Sequence, residues 1–324
     1  MRKHILHIKH ICFIDGAIIE CYSKEKIIAK VAGFMKEAKK ICFLGKGGVG
    51  KSIIASNLSE ALVRAGYHVL QIGNDSSLSS TILLRGFTDA VPALEEYRKN
   101  YVIQLADYII KTASGAYCLE LGSLEPGVGC MARGIQIIDE MMEMQGITDD
   151  LDLDYIIYDI AGDIPCTGYI LPMRDGIMDT CIVVTDGSVT SFVTANSIIA
   201  GIVKARRNEP ISIQMLVNYA DRYPTRSQLD AYAVTTQLTI LDYLDYYQRL
   251  EHSELAGETI FVSQPDSKAA LFFTNLVGKI TVTKQIVMPQ PLGRNELFRW
   301  LRLWKQQSLD QKSGVIGGDY SGNI

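Results

Sequence analysis

The segment Gly45-Lys46-Gly47-Gly48-Val49-Gly50-Lys51-Ser52 carries the plainest chemistry in this 324-residue chain. It follows the apolar run Ile41-Cys42-Phe43-Leu44 and opens an amphipathic stretch at Ser52, giving the order strand, glycine-rich turn, helix. Glycines let the backbone curl so that successive N–H groups converge on an anion. The helix N-terminus adds partial positive charge. In such a loop Lys51 reaches the terminal phosphates and Ser52 ligates Mg2+. A turn that binds nothing is the alternative, but it does not account for a full eight-residue match in this context. A nucleoside triphosphate is therefore the expected ligand.

Two cysteines also have a chemical reading. Cys130 closes Glu125-Pro126-Gly127-Val128-Gly129-Cys130, a proline- and glycine-rich loop before a helical pattern. Cys166 closes Tyr158-Asp159-Ile160-Ala161-Gly162-Asp163-Ile164-Pro165-Cys166, which follows a strand-like run. Helix N-termini favour thiolate, and thiolates bind iron–sulfur clusters. A 4Fe-4S cluster needs four thiolates, which a symmetric dimer would supply as two per subunit. The residues alone leave this open against two ordinary loop cysteines. The other five, Cys12, Cys21, Cys42, Cys118 and Cys181, are scattered with no CxxC, so no disulfide framework is expected; Cys42 and Cys181 read as core residues.

The elements that must position these groups alternate from residue 40 onward. Strands are expected at Ile41–Leu44, His68–Ile72, Ala116–Leu119, Tyr155–Tyr158, Cys181–Thr185, Ile211–Val217 and Thr259–Val262. Helices are expected at Ser52–Arg64, Arg133–Met144, Ser191–Lys204 and Gln228–Asp245. This rhythm predicts an α/β fold, a doubly wound, mostly parallel sheet covered by helices on both faces. Ligands in such sheets bind at the carboxyl ends of the strands. The expected division is an N-terminal extension over 1–39, the main domain over 40–285, and a C-terminal helix with a flexible tail over 286–324.

At 48% hydrophobic and 21% charged residues with a net charge of −4, the composition is globular and gives no basis for a nucleic-acid partner. No run of about 18 apolar residues is present. Lys9, three histidines and Asp15 interrupt the basic, apolar start, so a cytoplasmic location is expected. On a helix His4 and His7 would share a face and could chelate metal, whereas on a strand His7 faces away from both His4 and His10; the β-branched, apolar composition favours a strand. The stretch 295–307 interleaves Leu297, Phe298, Trp300, Leu301 and Trp304 with Arg299, Arg302 and Lys305. It reads either as a membrane- or partner-binding face or, more commonly for such stripes, as a helix packed on its own core.

Lys46, one residue after the first glycine, resembles the signature lysine of the deviant Walker A phosphate-loop ATPases. In that class the lysine crosses a dimer to the partner's nucleotide; a solvated surface lysine is the alternative. The segments around Cys130 and Cys166 narrow the resemblance to the nitrogenase iron protein family, over roughly residues 40–285. The resemblance implies an ATP-hydrolysing oxidoreductase component: a homodimer that binds MgATP, shares one 4Fe-4S cluster through Cys130 and Cys166, takes electrons from a donor such as ferredoxin or flavodoxin, and passes single electrons to a nitrogenase-like catalytic reductase complex. It assigns Asp159 to the magnesium shell, Asp75 and Asp163 to the attacking water, Asn218 to adenine and Arg133 to docking.

Departures from the family pattern lie at Asn74, Ser76 and Ser79, where the family has cysteine, proline and a second aspartate, and in Phe261–Asp266, which lacks the usual Pro-Arg-Asp. They point to a divergent relative serving a reductase other than dinitrogenase. Two other functions within the wider class are a Min/Par-type positioning ATPase without a cluster, and an iron–sulfur carrier ATPase, which the missing CxxC disfavours.

Overall fold

The computed structural model describes residues 10–14, 17–21, 37–122, 131–161, 173, 177–206, 211–223, 225–282 and 287–316. Strands β1 (His10–Ile14) and β2 (Ala17–Cys21) form an antiparallel pair of their own. The other strands are β3 (Lys39–Gly45), β4 (Val69–Asn74), β5 (Ile110–Lys111), β6 (Tyr117–Glu120), β7 (Tyr155–Ile160), β8 (Thr180–Thr185), β9 (Ser212–Asn218) and β10 (Thr239–Leu244). They make one eight-stranded sheet in the order β10-β9-β8-β3-β7-β4-β6-β5. All pairs are parallel except β5 with β6 at the edge. The expected doubly wound α/β sheet is present.

The strands are near-continuous apolar runs because both faces of the sheet are covered. Their two-residue period divides the core into two layers. On β3, Cys42 and Leu44 join one layer while Ile41 and Phe43 join the other. On β7, Ile156, Tyr158 and Ile160 alternate with Tyr155 and Ile157 in the same way. The helices are α1 (Lys51–Arg64), α2 (Ile82–Arg85), α3 (Ala93–Asn100), α4 (Met131–Gln145), α5 (Ile147–Asp150), α6 (Val189–Ala205), α7 (Arg226–Thr236), α8 (Gln248–Ala256), α9 (Ile260–Ser263), α10 (Lys268–Thr281) and α11 (Arg294–Ile316). Helices α1 and α8–α10 cover the Ile41/Phe43 face; α3–α7 and α11 cover the other. Ile54, Leu58 and Leu62 of α1 are fully buried, each contributing about 1.5–3 kcal/mol of apolar burial. That packing anchors the helix whose first turn carries Lys51 and Ser52.

Two expected elements differ. The helix over Gln228–Asp245 is instead α7 followed by β10. Gln237 ends α7 in the left-handed region (φ 56°), and the chain then pairs with β9. Edge pairing of Thr239–Leu244 outweighs a helical periodicity. Thr259–Val262, expected as a strand, falls within the short helix α9 and its preceding residue. A run with three apolar residues does not distinguish the two states by periodicity. Ile260 and Phe261 bury against α1, and Ile260 N–H donates to Asn57 Oδ1 at 2.8 Å.

The basic, Trp-containing stretch lies in α11 and packs on the core. Leu297 and Trp304 are buried, with the Trp304 ring edge-on to Phe192 at 5.1 Å. Asn196 holds the approach to α11 by donating to Leu292 O and accepting from Leu292 N, both at 3.0 Å. Cys42 and Cys181 are buried neighbours in register on β3 and β8. His4 and His7 lie outside the described residues.

Candidate nucleotide site

Strand β3 lies between β7 and β8; the chain builds the β7-β4-β6-β5 half first and then crosses from β7 to β8 to build the other, which opens a crevice at the carboxyl end of β3. The loop Gly45–Gly50 occupies that crevice. Gly45 (φ 149°) and Gly50 (φ 87°) have conformations that L side chains rarely adopt. A Cβ on Gly45 would strike Val184 O, and one on Gly50 would strike the Asn218 side-chain nitrogen. The loop can therefore curl here only because both positions lack a side chain. Lys51 is buried, and its Nζ donates back to Gly45 O at 3.3 Å and Lys46 O at 3.2 Å. Its charge is thus held over a ring of backbone made for an anion. Lys46 is exposed and donates to Thr190 Oγ1 at 3.2 Å, near the start of α6.

Asp159 lies next to last on β7, on the α1 face, and is 3% exposed. Ser80 O–H donates to its Oδ2, while its Oδ1 is buried with no hydrogen-bond partner among the described residues. Burial pushes the Asp159 carboxyl above the usual carboxylate range and the Asp75 charge adds to this; hydrogen bonds from Ser52 and Ser80 and the Lys51 charge pull it back. A buried carboxyl with an open oxygen, beside a hydroxyl and a phosphate loop, suits the outer shell of a hydrated divalent cation. The residues present therefore fit Mg2+ and a triphosphate: Ser52 as cation ligand, Asp159 behind it, Lys51 and the loop N–H groups on phosphate.

Asp75 begins the segment after β4. Its Oδ1 accepts from Ser77 N at 3.1 Å and its Oδ2 from Ser77 Oγ at 3.0 Å. Ser79 Oγ lies 2.7 Å from Ser77 Oγ. The position that carries the family's second aspartate thus joins a small serine network that closes on Asp75. Asn218, at the end of β9, donates to Val49 O at 2.9 Å, so its side chain braces the phosphate loop. Its Oδ1 accepts from Tyr219 N at 3.0 Å, and Tyr219 has φ 51°. Beside it a small concavity, open to solvent, is lined by Ile53, Asn218, Tyr219, Leu244, Asp245, Tyr247, Leu250 and Glu251. Apolar and aromatic side chains beside one amide suit a nucleobase, and the two carboxylates can accept from its amino group or from sugar hydroxyls.

The structure thus gathers Gly45–Ser52, Asp75, Asp159 and Asn218 at one end of the sheet. Cys130, Cys166 and Asp163 lie outside the described residues, as does the rest of the loop before α4. Among the described residues no group of three or more His, Cys, Asp or Glu is placed to hold a metal ion. Arg133 is exposed in the first turn of α4. Sequence reasoning missed Ser80, Thr81, Glu120 and Tyr219. A charged residue closing an otherwise apolar strand, as Glu120 does, was the available signal. The partners 39 and 79 residues away in sequence carry none.

Loop, helix N-terminus and buried carboxyl define a phosphate-loop nucleoside-triphosphate-binding protein. Solved structures agree on the fold. A ParA family ATPase from Chlorobium tepidum superposes with TM-score 0.58 at 20% identity, covering 76% of this chain and all of that one. The cell division protein MinD from Aquifex aeolicus gives 0.59 at 18% identity, covering 77% and 100%. The model of the 4Fe-4S iron sulfur cluster binding proteins of the NifH/frxC family matches residues 39–306, and the chain belongs to that family. It is similar to nitrogenase iron protein 2 of Paenibacillus durus, 33% identical over 290 residues covering 89% of this chain and 99% of the relative. It is also similar to the nitrogenase iron protein of Methanospirillum hungatei, 32% identical over 269 residues covering 82% and 95%. At this distance it is a divergent member.

Proposed function

We propose that this chain is an ATP-dependent electron-delivery protein: a homodimer with one MgATP per subunit and one 4Fe-4S cluster shared through Cys130 and Cys166 of each. The observation that carries this reading is Asp159, whose buried carboxyl stands behind Ser52 with an open oxygen and whose strand leads, seven residues on, to Cys166. Lys51 and the loop N–H groups bind phosphate, and Ser52 holds the cation. Asp159 senses that cation through its hydration shell. Lys46 leaves Thr190 and crosses to the partner's nucleotide. Asp75 and Asp163 orient the water that attacks the γ-phosphate, and Asn218 and Tyr219 hold the base. A shift at Asp159 is passed along residues 160–166, a segment switch of the γ-phosphate type. When bound, the cluster supplies one-electron transfer to a nitrogenase-like catalytic partner, with ferredoxin or flavodoxin as donor. The family membership supports this reading.

The test is anaerobic purification with iron and sulfide counts per dimer and EPR after reduction. Four irons per dimer, lost in both Cys130→Ser and Cys166→Ser, is the expected result. A colourless, iron-free protein that binds liposomes only with ATP would instead support a positioning ATPase. Transfer of the cluster to an apoprotein during turnover would support a carrier ATPase.

A further inference from the structure

We propose that Glu120 is a positioning residue of the triphosphate site: through Thr81 it holds segment 75–81 against the sheet and so sets where Ser80 meets Asp159. The inference rests on the nucleotide reading above. Glu120 closes β6 and is 1% exposed. Its Oε1 accepts from both Thr81 N–H and Thr81 O–H, each at 2.7 Å. The Thr81 hydroxyl oxygen in turn accepts from Arg85 Nε at 3.0 Å. Both donors of one residue are thus committed to a single buried oxygen, which fixes the start of α2.

Ser80, the next residue back, is tied on three sides. Its hydroxyl donates to Asp159, and its carbonyl accepts from Ser56 Oγ of α1 at 3.2 Å and Gln71 Nε2 of β4 at 2.9 Å. Residues 80–81 are therefore a joint between β6, β4, β7 and the helix that carries Lys51. Gly73 makes the joint possible, since a Cβ there would collide with the Glu120 carboxyl and with the Ser80 side chain. Burying a carboxyl costs free energy that its hydrogen bonds must offset. Here what they hold is the segment that begins with Asp75.

The test measures MgATPγS binding by calorimetry in four proteins: wild type, Glu120→Ala, Ser80→Ala and the double variant, each checked for folding by thermal denaturation. Glu120→Ala is expected to weaken binding about tenfold, the scale of one lost buried hydrogen bond to a charged group. In the Ser80→Ala background the same change is expected to cost less than about twofold, because its effect runs through Ser80. Glu120→Gln, which keeps an acceptor oxygen, is expected to stay within about threefold of wild type. Unchanged affinity in a folded Glu120→Ala, or a full tenfold loss in both backgrounds, overturns the inference. If Glu120→Ala does not fold, Thr81→Val runs the same cycle with an expected loss of about threefold. A wild-type protein that binds no MgATPγS sinks the nucleotide reading itself, and this inference with it.

Discussion

Glu120 and Asp159 stand on β6 and β7, on opposite sides of β4, and both are in register with the same residue, Gly73. Two buried carboxyls thus share one face of the sheet with only a glycine between them. Each leaves one oxygen, Oε2 and Oδ1 respectively, without a hydrogen-bond partner among the described residues. The pair brings two buried carboxyls together near the phosphate loop, where a bound cation would favour their ionised forms.

That pairing has a pH signature in the nucleotide-free protein. Burial raises the Glu120 carboxyl above its ordinary range; Thr81 hydrogen bonds and Arg85 oppose this, and Asp159 adds to it. The folded chain then keeps a proton that the unfolded chain releases. The resulting stability is full below the ordinary carboxyl pKa of about 4.3 and is lost as pH rises through the raised value. Urea denaturation from pH 4 to 8 should show Glu120→Gln with a flatter loss on the alkaline side than wild type. An identical slope would refute the assignment.

Lys51→Ala removes the cation held over Gly45 O and Lys46 O. A charge-assisted contact to phosphate is worth about 2 kcal/mol, so MgATP affinity should fall roughly thirtyfold with the melting temperature nearly unchanged. Calorimetric titration against wild type decides it.

Gly50→Ala places a Cβ against Asn218 at φ 87°. The strain should cost about 1–3 kcal/mol and also weaken nucleotide binding. The companion Asn218→Ala, which frees Val49 O, should partly relieve the clash. Chemical denaturation of the two single variants and the pair gives the coupling, and strict additivity would exclude the contact.

Asp139 of α4 accepts from Lys40 Nζ at 2.5 Å and from Tyr158 O–H at 3.0 Å, tying that helix to β3 and β7. Asp139→Ala should destabilise the fold by about 2–4 kcal/mol, because it leaves a partly buried cation and a buried hydroxyl unpaired. Lys40→Met with Asp139→Leu should recover part of that loss in equilibrium unfolding.

Trp304→Ala should cost about 3–5 kcal/mol of stability, since the ring fills the core against Phe192. Arg299→Ser and Arg302→Ser should change it by less than about 0.5 kcal/mol. Thermal unfolding separates these outcomes, and a tolerant Trp304 would reopen a surface-binding role for α11.

The chain's local patterns determined the sheet, the phosphate loop and its helix. Gly45–Ser52 is contiguous, and its glycines report backbone demands that act within a few residues. Central strands such as Tyr155–Ile160 were legible because burial on both faces requires an unbroken apolar run. Where short-range signals are degenerate, packing chose: Ile260–Ser263 became a helical turn against α1, and Thr239–Leu244 became an edge strand because β9 offered a partner. The same holds for the site. Lys51, Ser52, Asp159 and Asn218 were nameable from motif and resemblance, whereas the joint of Glu120, Thr81 and Ser80 was not. Hydrogen bonds that span 39 and 79 residues of sequence exist only once three strands lie in register, and no spacing along the chain encodes that meeting.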